Sequence, residues 1–192
     1  MASSESTLLV IDVQQAFDNP RWGKRNNEGC EGNIARILET WRRAGHSVIH
    51  VHHQSEGQDG LFSFGQPGFQ VMAFAEPIAA EPIFIKRVNS AFIGTSLERH
   101  LRELQIESLV FVGITTDHCV STSARMARNL GFNVVVVSDA TFTFERTDQN
   151  GRYWSAEDMH ESALASLHEE FAEIVTTADL LKLVERATTG QS

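Results

Sequence analysis

The chain is poor in cysteine, in basic residues and in long apolar runs. Two cysteines in 192 residues, Cys30 and Cys119, cannot form a disulfide framework, so a reducing compartment such as the cytosol is the natural expectation. Lys and Arg number 16 against 25 Asp and Glu, a net charge of −9. That deficit argues against nucleic acid or an anionic membrane as partner, since phosphate binding needs clustered cations. No apolar stretch approaches the ~18 residues of a membrane span. The start, MASSESTLLVID, has no basic segment and does not read as a signal peptide; Met1 to Ser6 reads as a frayed start. No CxxC or HExxH spacing writes in a structural zinc site. No GxGxxG opens a helix either, which disfavours a dinucleotide oxidoreductase.

What is present is an alternation of short apolar runs and amphipathic segments. TLLVI (Thr7 to Ile11), SVIHV (Ser47 to Val51), PIFI (Pro82 to Ile85), SLVFV (Ser108 to Val112), NVVVV (Asn133 to Val137) and EIVT (Glu173 to Thr176) read as strands. Between them, Gly32 to Ala44, Thr95 to Leu104, His118 to Leu130, Ser155 to His168 and Ala178 to Ala187 read as helices. SAED, from Ser155 to Asp158, forms a capping box for the fourth of these. Strand and helix in alternation predict an α/β protein with a parallel sheet covered on both faces, in one domain over residues 1–192. Two stretches stay irregular, Asn19 to Gly29 and Gln54 to Ala80. A loop as long as the second usually has a function.

In an open parallel sheet, ligands gather at the carboxyl ends of the strands. Asp12 ends the first strand and Lys86 the third, while Cys119 follows the fourth at a helix start. A thiolate there gains from the helix dipole and free N–H groups, and a nearby lysine lowers its pKa further. A carboxylate beside it can take the thiol proton and return it to a leaving amine. The N–H groups of the turn from Thr115 to Cys119 can hold a developing oxyanion. These parts together suit acyl transfer from nitrogen to sulfur to water.

Three segments carry a family resemblance: LLVIDVQQAF, IFIKRVNSAFIGT and VGITTDHCVSTSARMARNLGFNVVVVSDATFTF. In that order they resemble the isochorismatase-like cysteine hydrolases, which include nicotinamidases, N-carbamoylsarcosine amidohydrolases, ureidoacrylate amidohydrolases and isochorismatases. The resemblance runs from about Thr7 to Leu181. It implies a three-layer αβα sandwich around a six-stranded parallel sheet, Rossmann-like in plan, assembled as a homodimer or homotetramer. It implies an Asp12–Lys86–Cys119 triad. It also implies a cis peptide between Ile114 and Thr115, which aims the Thr115 and Cys119 N–H groups into an oxyanion hole. Nicotinamidases bind a metal through an Asp-x-His pair after the second strand. Here that segment is IHVHHQSEG, with His50, His52 and His53 but no matching Asp. No metal or cofactor is therefore expected. His50 and His52 are expected to be hydrogen-bonded on one face, with His53 at the pocket mouth.

Phe17, Trp22, His53, Phe62, Phe64, Phe92 and His118 are candidate pocket residues, since aromatic walls with a few polar groups suit small molecules. Asn89 and Ser90 are candidate donors. Arg21, Arg25, Arg87 and Arg146 are candidate partners for a substrate carboxylate, with nothing in the sequence to choose among them. The expected function is hydrolysis of a small amide or ureido compound, with Asp12 as general acid/base, Lys86 as electrostatic partner and Cys119 as nucleophile. The intermediate is a thioester or thiocarbamate. Vinyl-ether cleavage, which needs no thiol, and a non-catalytic binding role are the alternatives.

Overall fold

The computed structural model describes residues 6–57 and 59–189, with side chains of 186–189 excluded. The expectation for residues 1–5 lies outside these. Ser6 departs from it: it is buried, and its carbonyl accepts a hydrogen bond from Trp41 Nε1 at 3.0 Å.

In chain order the main elements are β1 (Thr7–Ile11), α1 (Cys30–Arg43), β2 (Val48–His53), β3 (Ile83–Lys86), α2 (Leu97–Glu103) and β4 (Ser108–Ile114). Then follow α3 (Ser121–Asn129), β5 (Asn133–Phe142), β6 (Arg146–Thr147), β7 (Tyr153–Trp154), α4 (Ala156–Leu167), β8 (Glu173–Val175) and α5 (Thr177–Thr189). β6 and β7 pair as a small antiparallel ribbon. The other six strands form one parallel sheet in the order β3-β2-β1-β4-β5-β8.

The side-chain period of two divides each strand between two cores. Leu8 and Val10 of β1 join Val110, Val112, Val135 and Val137 against Ile34, Leu38 and Trp41 of α1 and Leu180 of α5. Leu9 and Ile11 join Phe111, Val134 and Val136 against Leu97 and Leu101 of α2 and Ala124 and Ala127 of α3. Every residue of β1 is buried, which is why its run is apolar without alternation. Each buried Val, Leu, Ile or Phe among these contributes about 1.5–3 kcal/mol, and the layers are held by their sum. The α4 capping box forms: Ser155 Oγ accepts from the Asp158 N–H at 3.1 Å, and Asp158 Oδ2 accepts from the Ser155 N–H at 3.3 Å. No helix among the described residues is long and apolar enough to cross a membrane.

Most boundaries shift by one or two residues from the sequence reading, and three of the shifts shape the site. β2 runs on to His53. β5 runs ten residues to Phe142, through Ser138 and Asp139, because a register shift opposite Phe111 to Gly113 of β4 restores pairing at Thr141 and Phe142. The helix expected from His118 begins at Ser121 and is preceded by a wide turn over Thr116–Val120, whose Val120 N–H donates to the Thr115 carbonyl five residues back. The strand order reverses between β1 and β4, so their carboxyl ends flank a crevice. Gly113 brings them together. Its φ is +126°, and a Cβ there would lie 2.0 Å from the Ile11 carbonyl oxygen.

Candidate active site

Asp12 leaves β1 with a φ of 52°, a left-handed conformation that Asp tolerates better than most residues. Lys86 is the last residue of β3 and Cys119 lies in the wide turn after β4. All three meet in the crevice. Asp12 and Lys86 are 0% exposed and Cys119 is 8% exposed. Lys86 Nζ is 2.6 Å from Asp12 Oδ2, 3.3 Å from Cys119 Sγ and 3.2 Å from His53 Nδ1. An ammonium has three N–H bonds, so each has a partner. The peptide bond between Ile114 and Thr115 is cis.

The thiol is not what its position suggested. Burial pushes the Cys119 pKa up and the Asp12 carboxylate pushes it the same way, while Lys86 pulls it down with less effect. A thiol under an apolar roof with an anion beside it rests protonated. The depressed pKa expected from the sequence is therefore corrected: desolvation and Asp12 outweigh the lysine.

A cavity of ≈140 Å³ opens onto Cys119. Phe17, Trp22, Phe62 and Phe144 form its apolar wall, and Asp12, His53, Asn89, Thr115, His118 and Arg146 supply polar groups. The aromatics pack on one another, with ring centroids 5.0 Å apart for Phe17–Phe62, 5.5 Å for Phe17–Trp22 and 5.7 Å for Trp22–Phe144. Phe62 brings the long loop against the site. Gln14 fastens the same loop: its Nε2 donates to the carbonyls of His53 and Phe69 at 3.1 and 2.9 Å, and its Oε1 accepts from the His53 N–H at 2.8 Å.

Two expected pocket residues lie elsewhere. Phe92 is buried in the core on the α2–α3 side, stacked on Phe132 at 6.1 Å, where the neighbouring Ala91 N–H donates to Ser123 Oγ of α3 at 2.9 Å. Phe64 is 76% exposed and packs its edge against Phe69. Among the arginines, Arg25 pairs with Glu31 and lies over Phe142, and Arg21 lies over Trp22. Arg146 alone of the four lines the cavity. It is held by Asp117 at 2.9 Å, and Asp117 in turn accepts from Thr143 Oγ1 at 2.5 Å.

The histidines divide as the strand period requires. His50 bonds Glu81 at 2.9 Å on the α1 side. His52 shares that face, but its Nε2 is buried without a partner, which corrects the expectation that both are hydrogen-bonded. Burial, and then His50, lower its pKa to about 4. His53 points to the other side. Among the described residues no group of three His, Cys, Asp or Glu side chains is placed to hold a metal ion.

Phe144 and Gln14 escaped the sequence reading, as did a buried prop beneath the turn. There Thr116 Oγ1 meets His160 Nδ1 at 2.8 Å, and His160 Nε2 lies 3.4 Å from Asn27 Nδ2. The alternation TFTF from Thr141 to Phe144 was the one available signal, marking extended chain that sends Phe144 to the wall. A larger concavity of ≈520 Å³, lined by Gln15, Asp18, Asn19 and Asp59 among others, holds no cysteine, lysine or arginine; the candidate residues gather at the smaller one.

Fold and site together define a parallel α/β protein with cysteine, lysine and aspartate buried at its topological switch point. The chain belongs to the isochorismatase family: the Isochorismatase domain matches residues 6–179. It is 46% identical over 177 residues to the uncharacterised isochorismatase family protein YrdC of Bacillus subtilis, covering 92% of this chain and 95% of that protein. A structure from Chromobacterium violaceum, assigned as a hydrolase of the isochorismatase family, superposes with a TM-score of 0.94 at 40% identity, covering 97% and 96% of the two chains. Ureidoacrylate amidohydrolase RutB of Variovorax paradoxus is 26% identical over 177 residues, covering 72% of this chain and 69% of that protein. The protein is thus an isochorismatase-family hydrolase with relatives named as amidohydrolases.

Proposed function

We propose that the chain is a cysteine-dependent amidohydrolase that cleaves a C–N bond in a small amide or ureido compound. One observation carries the reading: the buried Lys86 ammonium bridges the Asp12 carboxylate at 2.6 Å and the Cys119 sulfur at 3.3 Å at the base of an aromatic-walled cavity. The amidohydrolase name of a relative supports it.

In this mechanism Asp12 takes the Sγ proton as sulfur adds to the substrate carbonyl, and Lys86 stabilises the growing charge on sulfur. The thiol needs that help, since at rest its proton is firmly held. The carbonyl oxygen becomes an oxyanion, received by the N–H groups of Thr115 and Cys119. Asp12 returns its proton to the leaving nitrogen, the C–N bond breaks, and a thioester or thiocarbamate remains. Asp12, again a carboxylate, takes a proton from water as the water's oxygen attacks the acyl carbon. Sulfur leaves and recovers the proton.

The test is a panel of small amides and ureido acids, followed by ammonia or amine release. Cys119→Ala should abolish turnover, and Asp12→Asn should lower it about 10²–10⁴-fold, the usual contribution of one general acid/base. Full turnover in Cys119→Ala would sink the reading and leave vinyl-ether cleavage, which needs Asp12 and not the thiol.

A further inference from the structure

His53 sits where the catalytic cluster meets the cavity, and its ring can be read atom by atom. Its main chain is pinned on both sides by Gln14. Its ring stands edge-on to Phe62, with centroids 5.2 Å apart. Nδ1 faces Lys86 Nζ at 3.2 Å. Lys86 is held as an ammonium by Asp12 at 2.6 Å, and an ammonium only donates. Nδ1 must therefore accept, and a neutral imidazole that accepts at Nδ1 carries its hydrogen on Nε2. The groups facing the ring agree with a neutral state: burial and then Lys86 lower the His53 pKa, and Asp12 opposes them more weakly. No protein group among the described residues accepts from Nε2, and His53 lines the cavity.

We propose that His53 Nε2–H is a fixed hydrogen-bond donor of the cavity, selecting ligands that carry a hydrogen-bond acceptor close to the reacting carbonyl. The proposal rests on that cavity being the substrate site. It deepens the functional reading by narrowing the substrate: small amides with a second acceptor, not plain hydrocarbon amides. The donor's direction is set by Lys86, so the cation that organises the sulfur also fixes the hydrogen that reads the ligand. His118 is a poorer reader, being half-exposed and 3.9 Å from Asp117.

Benzamide and the three isomeric pyridinecarboxamides make the test. They share one shape and differ by a single ring acceptor. Calorimetric titration of Cys119→Ala protein, which cannot consume them, should show one pyridine isomer binding about 3–10-fold tighter than benzamide, the range of one hydrogen bond. His53→Gln in the same background should keep the preference, since its amide can accept from Lys86 and donate to the cavity. His53→Leu should erase it. Equal affinity for all four, no binding of any, or a preference that survives His53→Leu would overturn the proposal. Should His53→Leu not fold, ¹⁵N spectra of histidine-labelled wild type decide: the Nε2–H tautomer at neutral pH is expected, and an Nδ1–H or doubly protonated ring overturns it. A protein that binds one isomer selectively yet hydrolyses no amide would refute the amidohydrolase reading and leave the donor standing.

Discussion

Replacing Lys86 by Met removes one charge from a place no water reaches. Lys86 and Asp12 are 0% exposed and 2.6 Å apart. At an effective dielectric near 20 their attraction is about 6 kcal/mol, most of which offsets the cost of burying two ions. The Lys86→Met protein keeps the buried carboxylate and loses its partner, so the expected destabilisation is about 3–5 kcal/mol. For a chain of this length each kcal/mol moves the melting temperature by about 2–4 °C; the shift should be roughly 6–20 °C downward, read by calorimetry. Asp12→Asn added to Lys86→Met removes the orphaned charge. Neutral replacement of a buried pair is commonly neutral or stabilising by about 1–4 kcal/mol, so the double variant should regain wild-type stability or pass it. Neither variant should turn over substrate, because sulfur has lost its cation in both. A Lys86→Met protein that melts within about 3 °C of wild type, or a double variant no more stable than the single, would refute this account of the cluster.

Gly113→Ala should cost more than any cap or surface change, with little soluble protein on expression, because its Cβ has nowhere to go between β4 and the Ile11 carbonyl; a normally folded variant would show that the two strands can part. Phe62→Ala should raise KM more than it lowers kcat, since it opens the wall of the cavity without touching sulfur; the reverse split would place Phe62 in the chemistry. His52 is buried, with a folded pKa of about 4 against 6.5 in the unfolded chain. The unfolded chain therefore binds more protons between those values, so stability falls as pH drops through that window, by up to about 3 kcal/mol for this one group. His52→Leu should flatten that fall in urea melts from pH 7 to pH 4.5, and an unchanged slope would exonerate His52.

Much of this was legible from the chain because the sheet is buried on both faces. A strand with two apolar sides writes itself as a continuous run, and TLLVI and NVVVV do so. The rule that chemistry gathers at strand ends then joins Asp12, Lys86 and Cys119 from the sequence alone. β5 was cut short at Val137 because Ser138 and Asp139 break the run; the pairing that carries it to Phe142 depends on a register shift in its neighbour. Phe92 looked like wall because it follows Lys86 closely, and the turn that buries it against Phe132 has no local signature. The prop from Asn27 through His160 to Thr116 joins residues 133 and 44 positions apart. The thiol was misjudged for a deeper reason: proximity to a lysine can be guessed from topology, whereas the depth of burial that outweighs it belongs only to the folded molecule.

Lys86 comes from the outermost strand of the sheet. Ile83 and Ile85 beside it are 49% and 44% exposed, and among the described residues no strand pairs with the far side of β3. An outer strand is ordinarily where a sheet frays first. Here a frayed β3 pulls the ammonium away from a buried carboxylate, so the excursion is opposed electrically at its last residue. When that hold does give way, Lys86 leaves with the strand, so warming should silence the site before the rest of the molecule lets go, with function the first to disappear on heating and the last to return on cooling.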